Sequence, residues 1–246
     1  MDHAVVAHVV VVVFLATLIR SSIGFGEALV AVPLLALRIP VDVAAPLAVL
    51  VSITIAAIVL LQDWREVHVR SAGSLFASTL VGIPVGLWLL IAVDARIVKA
   101  LLAVVLITFA ITMLTRRVRF HLDRDRPLWL AGCGFAAGVL GGAYGMNGPP
   151  LVIYGSLRRW SAAQFRATLQ GYFLPASVVG MLGYWLAGLW VPTVTRYFVI
   201  ALPGIIVATL LGRMLHRRIR GDAFFRWVCV GLILIGVVLL GQAGFT

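Results

Sequence analysis

Gly141-Gly142-Ala143-Tyr144-Gly145-Met146-Asn147-Gly148-Pro149-Pro150 interrupts an apolar run, residues 127–157, that is too long for one membrane crossing. A hydrocarbon core of ~30 Å takes roughly 20 helical residues. Glycines and paired prolines stop a helix through backbone freedom and a missing donor. The run is therefore either one kinked crossing or a re-entrant hairpin whose ends share a side. Arginine positions separate the two. With a hairpin, Arg65, Arg70, the cluster over 116–126, Arg158, Arg159, Arg166 and the cluster over 213–226 lie together, fifteen Lys/Arg against four (Arg38, Arg96, Lys99, Arg196). A single crossing divides the same residues eight to eleven. The positive-inside rule selects the hairpin.

Working outward, residues 4–37 form a second over-long run, broken at Ser21-Ser22-Ile23-Gly24-Phe25-Gly26. Read as a hairpin by analogy, it puts both termini outside. Six further runs, 43–61, 71–92, 97–115, 162–189, 193–213 and 224–242, have the length and apolarity of ordinary crossings. Trp64, Trp88, Trp129, Trp160, Trp190 and Trp227 fall near their ends, where an amphipathic ring anchors at the interface. At an offset of 119 residues Phe25-Gly26 falls on Tyr144-Gly145 and Pro84 on Pro203. Each half reads as a broken hairpin followed by three crossings. Three is odd, so the halves are inverted. The expected fold is all-α: a polytopic membrane protein forming one domain over 1–246, an inverted 4+4 repeat with re-entrant first and fifth segments. Repeat one covers 1–115, a basic cytoplasmic linker 116–126 and repeat two 127–246.

Composition excludes other classes. The chain is 62% hydrophobic and 12% charged, too little charge to cover a soluble domain of 246 residues. Its net charge of +11 sits in short clusters between apolar runs, which is membrane orientation and not nucleic-acid binding. Cys133 and Cys229 lie in apolar stretches without metal or disulfide spacing. Met1-Asp2-His3-Ala4 lacks a basic n-region, so the first apolar run is expected to be retained structure. His3, His8, His68, His121 and His216 lie in flanks, in loops or near the N-terminus, and no hydrolase elbow, metal helix or phosphate loop occurs. No enzyme, cofactor or metal site is expected.

Inverted repeats with paired Gly/Pro-interrupted segments point to a secondary transporter with its site at the repeat interface. Unwound backbone at membrane depth must be buried in protein or line a polar cavity. Half-helices starting after Gly26 and Gly148 would aim N–H groups and positive dipole ends at that cavity, which suits an anion. Arg20 follows an uncharged run and precedes the first break; left uncompensated near the bilayer centre, an arginine costs ~2.5–3.5 kcal/mol. It is the leading anion-binding residue, with Ser21, Ser22, Gly24, Gly26, Gly145, Asn147 and Gly148 completing the expected site. Glu27, the only acidic residue inside an expected membrane segment, either neutralises Arg20 or carries a coupling proton. Asn147 offers an uncharged amide donor and is also a natural helix cap. Gln164, Arg166 and Gln170 run along the next span, where they would line an inner vestibule or, for Arg166, anchor to the cytoplasmic face.

Gly24-Phe25-Gly26-Glu27-Ala28-Leu29-Val30-Ala31-Val32-Pro33-Leu34-Leu35 and Gly145-Met146-Asn147-Gly148-Pro149-Pro150-Leu151-Val152-Ile153-Tyr154 resemble the signature segments of the TauE/SafE sulfite exporter family. Trp160-Ser161-Ala162-Ala163-Gln164-Phe165-Arg166-Ala167-Thr168 is similar to that family's pattern too. The resemblance implies proton-linked secondary transport, usually outward, of sulfite or organosulfonates across a bacterial inner membrane. Its implied partners are a small anionic substrate, the lipid bilayer and protons; a homo-oligomer is compatible with it. Glu27 stands where the family pattern has a small residue, often glycine, and so marks a different coupling or ligand charge. An anion channel, or an uptake carrier for another small organic anion, is the alternative.

Overall fold

The computed structural model describes residues 3–63, 69–115, 126–158, 162–216 and 221–245. Its ten helices are α1 (His3–Ile23), α2 (Glu27–Leu35), α3 (Val41–Asp63), α4 (Val69–Ala92), α5 (Ala95–Thr115), α6 (Pro127–Tyr144), α7 (Gly148–Leu157), α8 (Ala162–Leu186), α9 (Pro192–His216) and α10 (Gly221–Phe245), with no strand among the described residues. Six of them, α1, α3, α4, α5, α6 and α9, are long and apolar enough to cross a bilayer; α8 and α10 add shorter apolar stretches, Gly171–Leu186 and Val228–Ala243. Exposed Leu, Val and Ile side chains cover the outside, as on a protein whose solvent is lipid. Trp88, Trp129 and Trp190 are exposed too, and the side chains of Trp64, Trp160 and Trp227 lie outside the described residues.

Both over-long runs break where glycine dictates. α1 ends at Ile23 and α2 starts at Glu27; α6 ends at Tyr144 and α7 starts at Gly148. Gly26 (φ 101°) and Gly145 (φ 66°) hold left-handed backbone that a side chain would strain. The limbs are unequal, 21 and 9 residues in the first pair, 18 and 10 in the second. His8 Nε2 meets the Leu34 carbonyl at 2.9 Å, so α2 runs back along α1.

Helix pairing is regular. α4 packs on α6 and α1 on α9; α5 packs on α10 and α3 on α8; each long limb touches its short one. Between lipid-solvated helices there is no water to expel, so association rests on close packing. Gly82 and Gly86 of α4 meet Gly134, Gly138 and Gly142 of α6, all at four-residue spacing, and a β-carbon on any of the five would come within 2.0–2.6 Å of a backbone oxygen opposite. Thr79 locks the seam, donating to the Leu75 and Gly134 carbonyls, both at 2.9 Å. On α1–α9, Gly212 takes the same part against Ser21.

Candidate functional site

The first break delivers Arg20 and Glu27 to one another. Arg20 is fully buried, 1% exposed, and its Nη1 donates to Glu27 Oε1 in the one ion pair among the described residues. The same nitrogen donates to Ser52 Oγ of α3 at 2.7 Å, and Ser177 of α8 donates to Ser52 at 3.2 Å. The Phe173 ring centroid lies 5.0 Å from the guanidinium carbon, a cation–π contact. Arginine has five N–H donors; here Nε and Nη2 are buried and, among the described residues, without a partner. Thr17 Oγ1 and Ser21 Oγ on the same stretch of α1 are likewise buried and unpartnered.

The second break closes over this group. One cavity is walled by Gly26, Glu27, Ala28 and Leu29 from the first break, Gly145, Met146, Asn147 and Gly148 from the second, Ser52 from α3 and Phe173 from α8. A β-carbon added at Gly148 would lie 3.9 Å from the Phe25 ring, so the two breaks stand side by side. The space holds no more than about one water molecule.

The two half-helix ends are not equivalent donors. Glu27, Ala28 and Leu29 open α2 with free amides, and Glu27 adds its carboxylate to the positive end of the dipole. α7 opens Gly148-Pro149-Pro150, and the prolines have no N–H, so only Gly148 offers an amide at its tip. The N–H groups expected from both breaks are therefore unevenly divided between them. Asn147 precedes α7 without a side-chain cap bond; its amide packs on Gly141 and lies within hydrogen-bonding reach of the Tyr172 hydroxyl.

A family model described as Sulfite exporter TauE/SafE matches residues 9–239, nearly the whole chain. The chain belongs to the TauE/SafE sulfite exporter family. No curated protein and no solved structure matches it. Membership makes it a multi-pass membrane protein of a family that transports sulfur-containing anions, not an enzyme family. Within this TauE/SafE chain the structure brings Gly26, Glu27, Gly145, Asn147 and Gly148 to one cavity wall, and Arg20 stands behind that wall, bonded to Glu27 and Ser52. Gly24 sits one residue past α1 with φ 100° and does not line it. Ser22 donates to the Leu18 and Gly212 carbonyls, and Ser21 packs on Gly212; both serve the α1–α9 contact, not the cavity wall. The side chains of Gln164, Arg166 and Gln170 lie outside the described residues. Sequence reasoning missed Ser52, Phe173 and Ser177. They are uncharged residues inside ordinary-looking spans, and only the crossing of α3 and α8 brings them to Arg20.

Proposed function

We propose that this chain is a secondary transporter moving a small sulfur-containing oxyanion, sulfite or an organosulfonate, across the bacterial inner membrane by alternating access, linked to protons through Glu27. The observation that carries this is a buried arginine with unused donors, set beside a cavity to which both helix breaks contribute. A buried cation with spare N–H groups is stable only if they are met. An oxyanion meets several at once, and arginine's planar fork fits it. The family supplies the substrate class.

The packing supports two inverted repeats, 1–115 and 127–246, about the basic linker 116–126 in a single membrane domain. Exchanging α1 with α6, α2 with α7, α3 with α8, α4 with α9 and α5 with α10 maps the α4–α6 contact onto α1–α9, α4–α8 onto α3–α9 and α1–α2 onto α6–α7, and leaves α5–α10 and α3–α8 unchanged. Pro84 and Pro203 lie inside the exchanged helices α4 and α9. The His8–Leu34 bond supports a re-entrant first hairpin. The cavity is too small for a sulfur oxyanion, so loading requires the breaks to separate, a movement that rocking one repeat against the other supplies.

Two expected results follow the topology and the coupling. Cysteines placed at Arg126 and Arg158 should be modified from the same side by an impermeant maleimide; Cys133 and Cys229 are buried and add little background. Modification from opposite sides would make 127–157 a single crossing. In proteoliposomes, flux should saturate with substrate and respond to a pH gradient, and Glu27→Gln should flatten that pH response. An unaltered profile would leave Glu27 structural, and unsaturable flux set only by the substrate's electrochemical gradient would make the protein a channel.

A further inference from the structure

The guanidinium of Arg20 has two usable edges, and only one is taken. Nη1 gives its two hydrogens to Glu27 and Ser52. Nε–H and one hydrogen of Nη2 are parallel on the side-on edge, and among the described residues both nitrogens are buried without a partner. Parallel N–H groups at that spacing match two oxygens of one oxyanion, as in bidentate arginine pairs. A halide has one atom for both N–H groups, a poorer match than an oxyanion that gives each its own oxygen. Phe173 contributes a ring face and no oxygen, so it does not occupy the fork.

We propose that the substrate binds side-on to the Nε–Nη2 edge of Arg20 while Glu27 keeps its place on Nη1, and that each monovalent anion is carried together with one proton, held on Glu27, in the same direction. This rests on the transport reading above and specifies its charge balance. Without substrate, the arginine and the carboxylate form a neutral pair. A monoanion arriving on the free edge would leave net negative charge in a site nine-tenths buried, with two anions sharing one cation. Like charges in a shared site force one to take a proton. The substrate's own conjugate acid is far stronger than a carboxylic acid when it is a sulfonate, so the proton goes to Glu27. Among the described residues, Glu27 pairs with Arg20 from α1 and shares its cavity with Ser52 from α3, Phe173 from α8 and Asn147 from the second break, with the Tyr172 hydroxyl beyond Asn147. α5 and α10 also pack on α2, and no charged group from them pairs with Glu27 among the described residues. Arg20 is the only charged one. Empty and loaded sites are then both neutral, and neither crossing carries net charge through the apolar interior.

Proteoliposomes of the full chain, with a pH dye inside and labelled methanesulfonate outside, test this. Methanesulfonate does not titrate near neutrality, so every proton counted belongs to the carrier. The expected result is one proton entering per anion, a flux unchanged by a valinomycin–potassium potential, and no competition from a hundredfold excess of chloride. Glu27→Asp should keep the ratio near one, and Glu27→Gln should bring it towards zero in whatever flux remains. If only sulfite moves, the count is repeated with sulfite after subtracting the proton of bisulfite. Protons moving opposite to the anion or not at all in the wild type, a flux driven by the potential, or effective chloride competition would overturn the proposal while leaving transport intact. Movement of neither anion would remove the transport reading as well.

Discussion

Arg20→Ala lowers sulfite or sulfonate flux at least about 100-fold, while the helical fold survives. Hydrogen bonds to charged groups contribute ~1.5–3 kcal/mol each, and the free edge of Arg20, buried from solvent, offers two. Two such bonds amount to at least ~3 kcal/mol, where 1.36 kcal/mol is a factor of ten. The substitution also strands Glu27, whose side chain is 6% exposed, without its cation. Breaking a buried pair from one side costs ~3–5 kcal/mol, so the single variant should melt lower unless the carboxylate takes a proton. Arg20→Ala combined with Glu27→Gln separates the effects: melting temperature recovers and flux does not. Normal flux in either variant would remove Arg20 from the site.

Gly138→Val should yield no monodisperse protein. A β-carbon there would stand 2.4 Å from the Thr79 carbonyl oxygen and 2.8 Å from the Gly82 α-carbon. Neither atom can rotate away, because both belong to the backbone of α4. Relief requires α4 and α6 to move apart along the whole glycine seam, which also stretches the Thr79–Gly134 bond. Overpacking typically costs ~1–3 kcal/mol when side chains can adjust, and here they cannot, so the loss should exceed that range. Gly132→Ala is the control, since a β-carbon at Gly132, on the same helix, meets nothing within 4 Å. Its yield and melting temperature should match the wild type. Equal behaviour of the two variants would mean that the α4–α6 seam does not hold the fold.

The broken helices were legible because their cause is local: an apolar run of 31 residues cannot stay helical through Gly141–Pro150 and still fit the bilayer. Arg20 and Glu27 were legible for a similar reason, since charge in hydrocarbon must find a partner and these were the two charges at hand. The Gly134, Gly138 and Gly142 series stands in the sequence at four-residue spacing, the pattern that lets membrane helices touch, but the spacing alone does not say which helix it meets. The missing amides of Pro149 and Pro150 could also have been read directly. Register is a subtler case. Sequence matching paired Gly26 with Gly145, whereas the helix ends at Ile23 and Tyr144 pair Gly24 with Gly145. Glycine matches carry little information, and a shift of two residues leaves the pattern looking alike. Ser52, Phe173 and Ser177 gave no local signal. Their meeting with Arg20 depends on how α3 crosses α8, which is tertiary packing.

An experimental structure of the protein loaded with a sulfonate tests the central claim most directly. The account predicts the anion between the two glycine breaks, two of its oxygens on Nε and Nη2 of Arg20, and the breaks further apart than they stand around the present water-sized cavity. A sulfonate bound elsewhere, with the Arg20 fork still empty and the breaks no further apart, would contradict it.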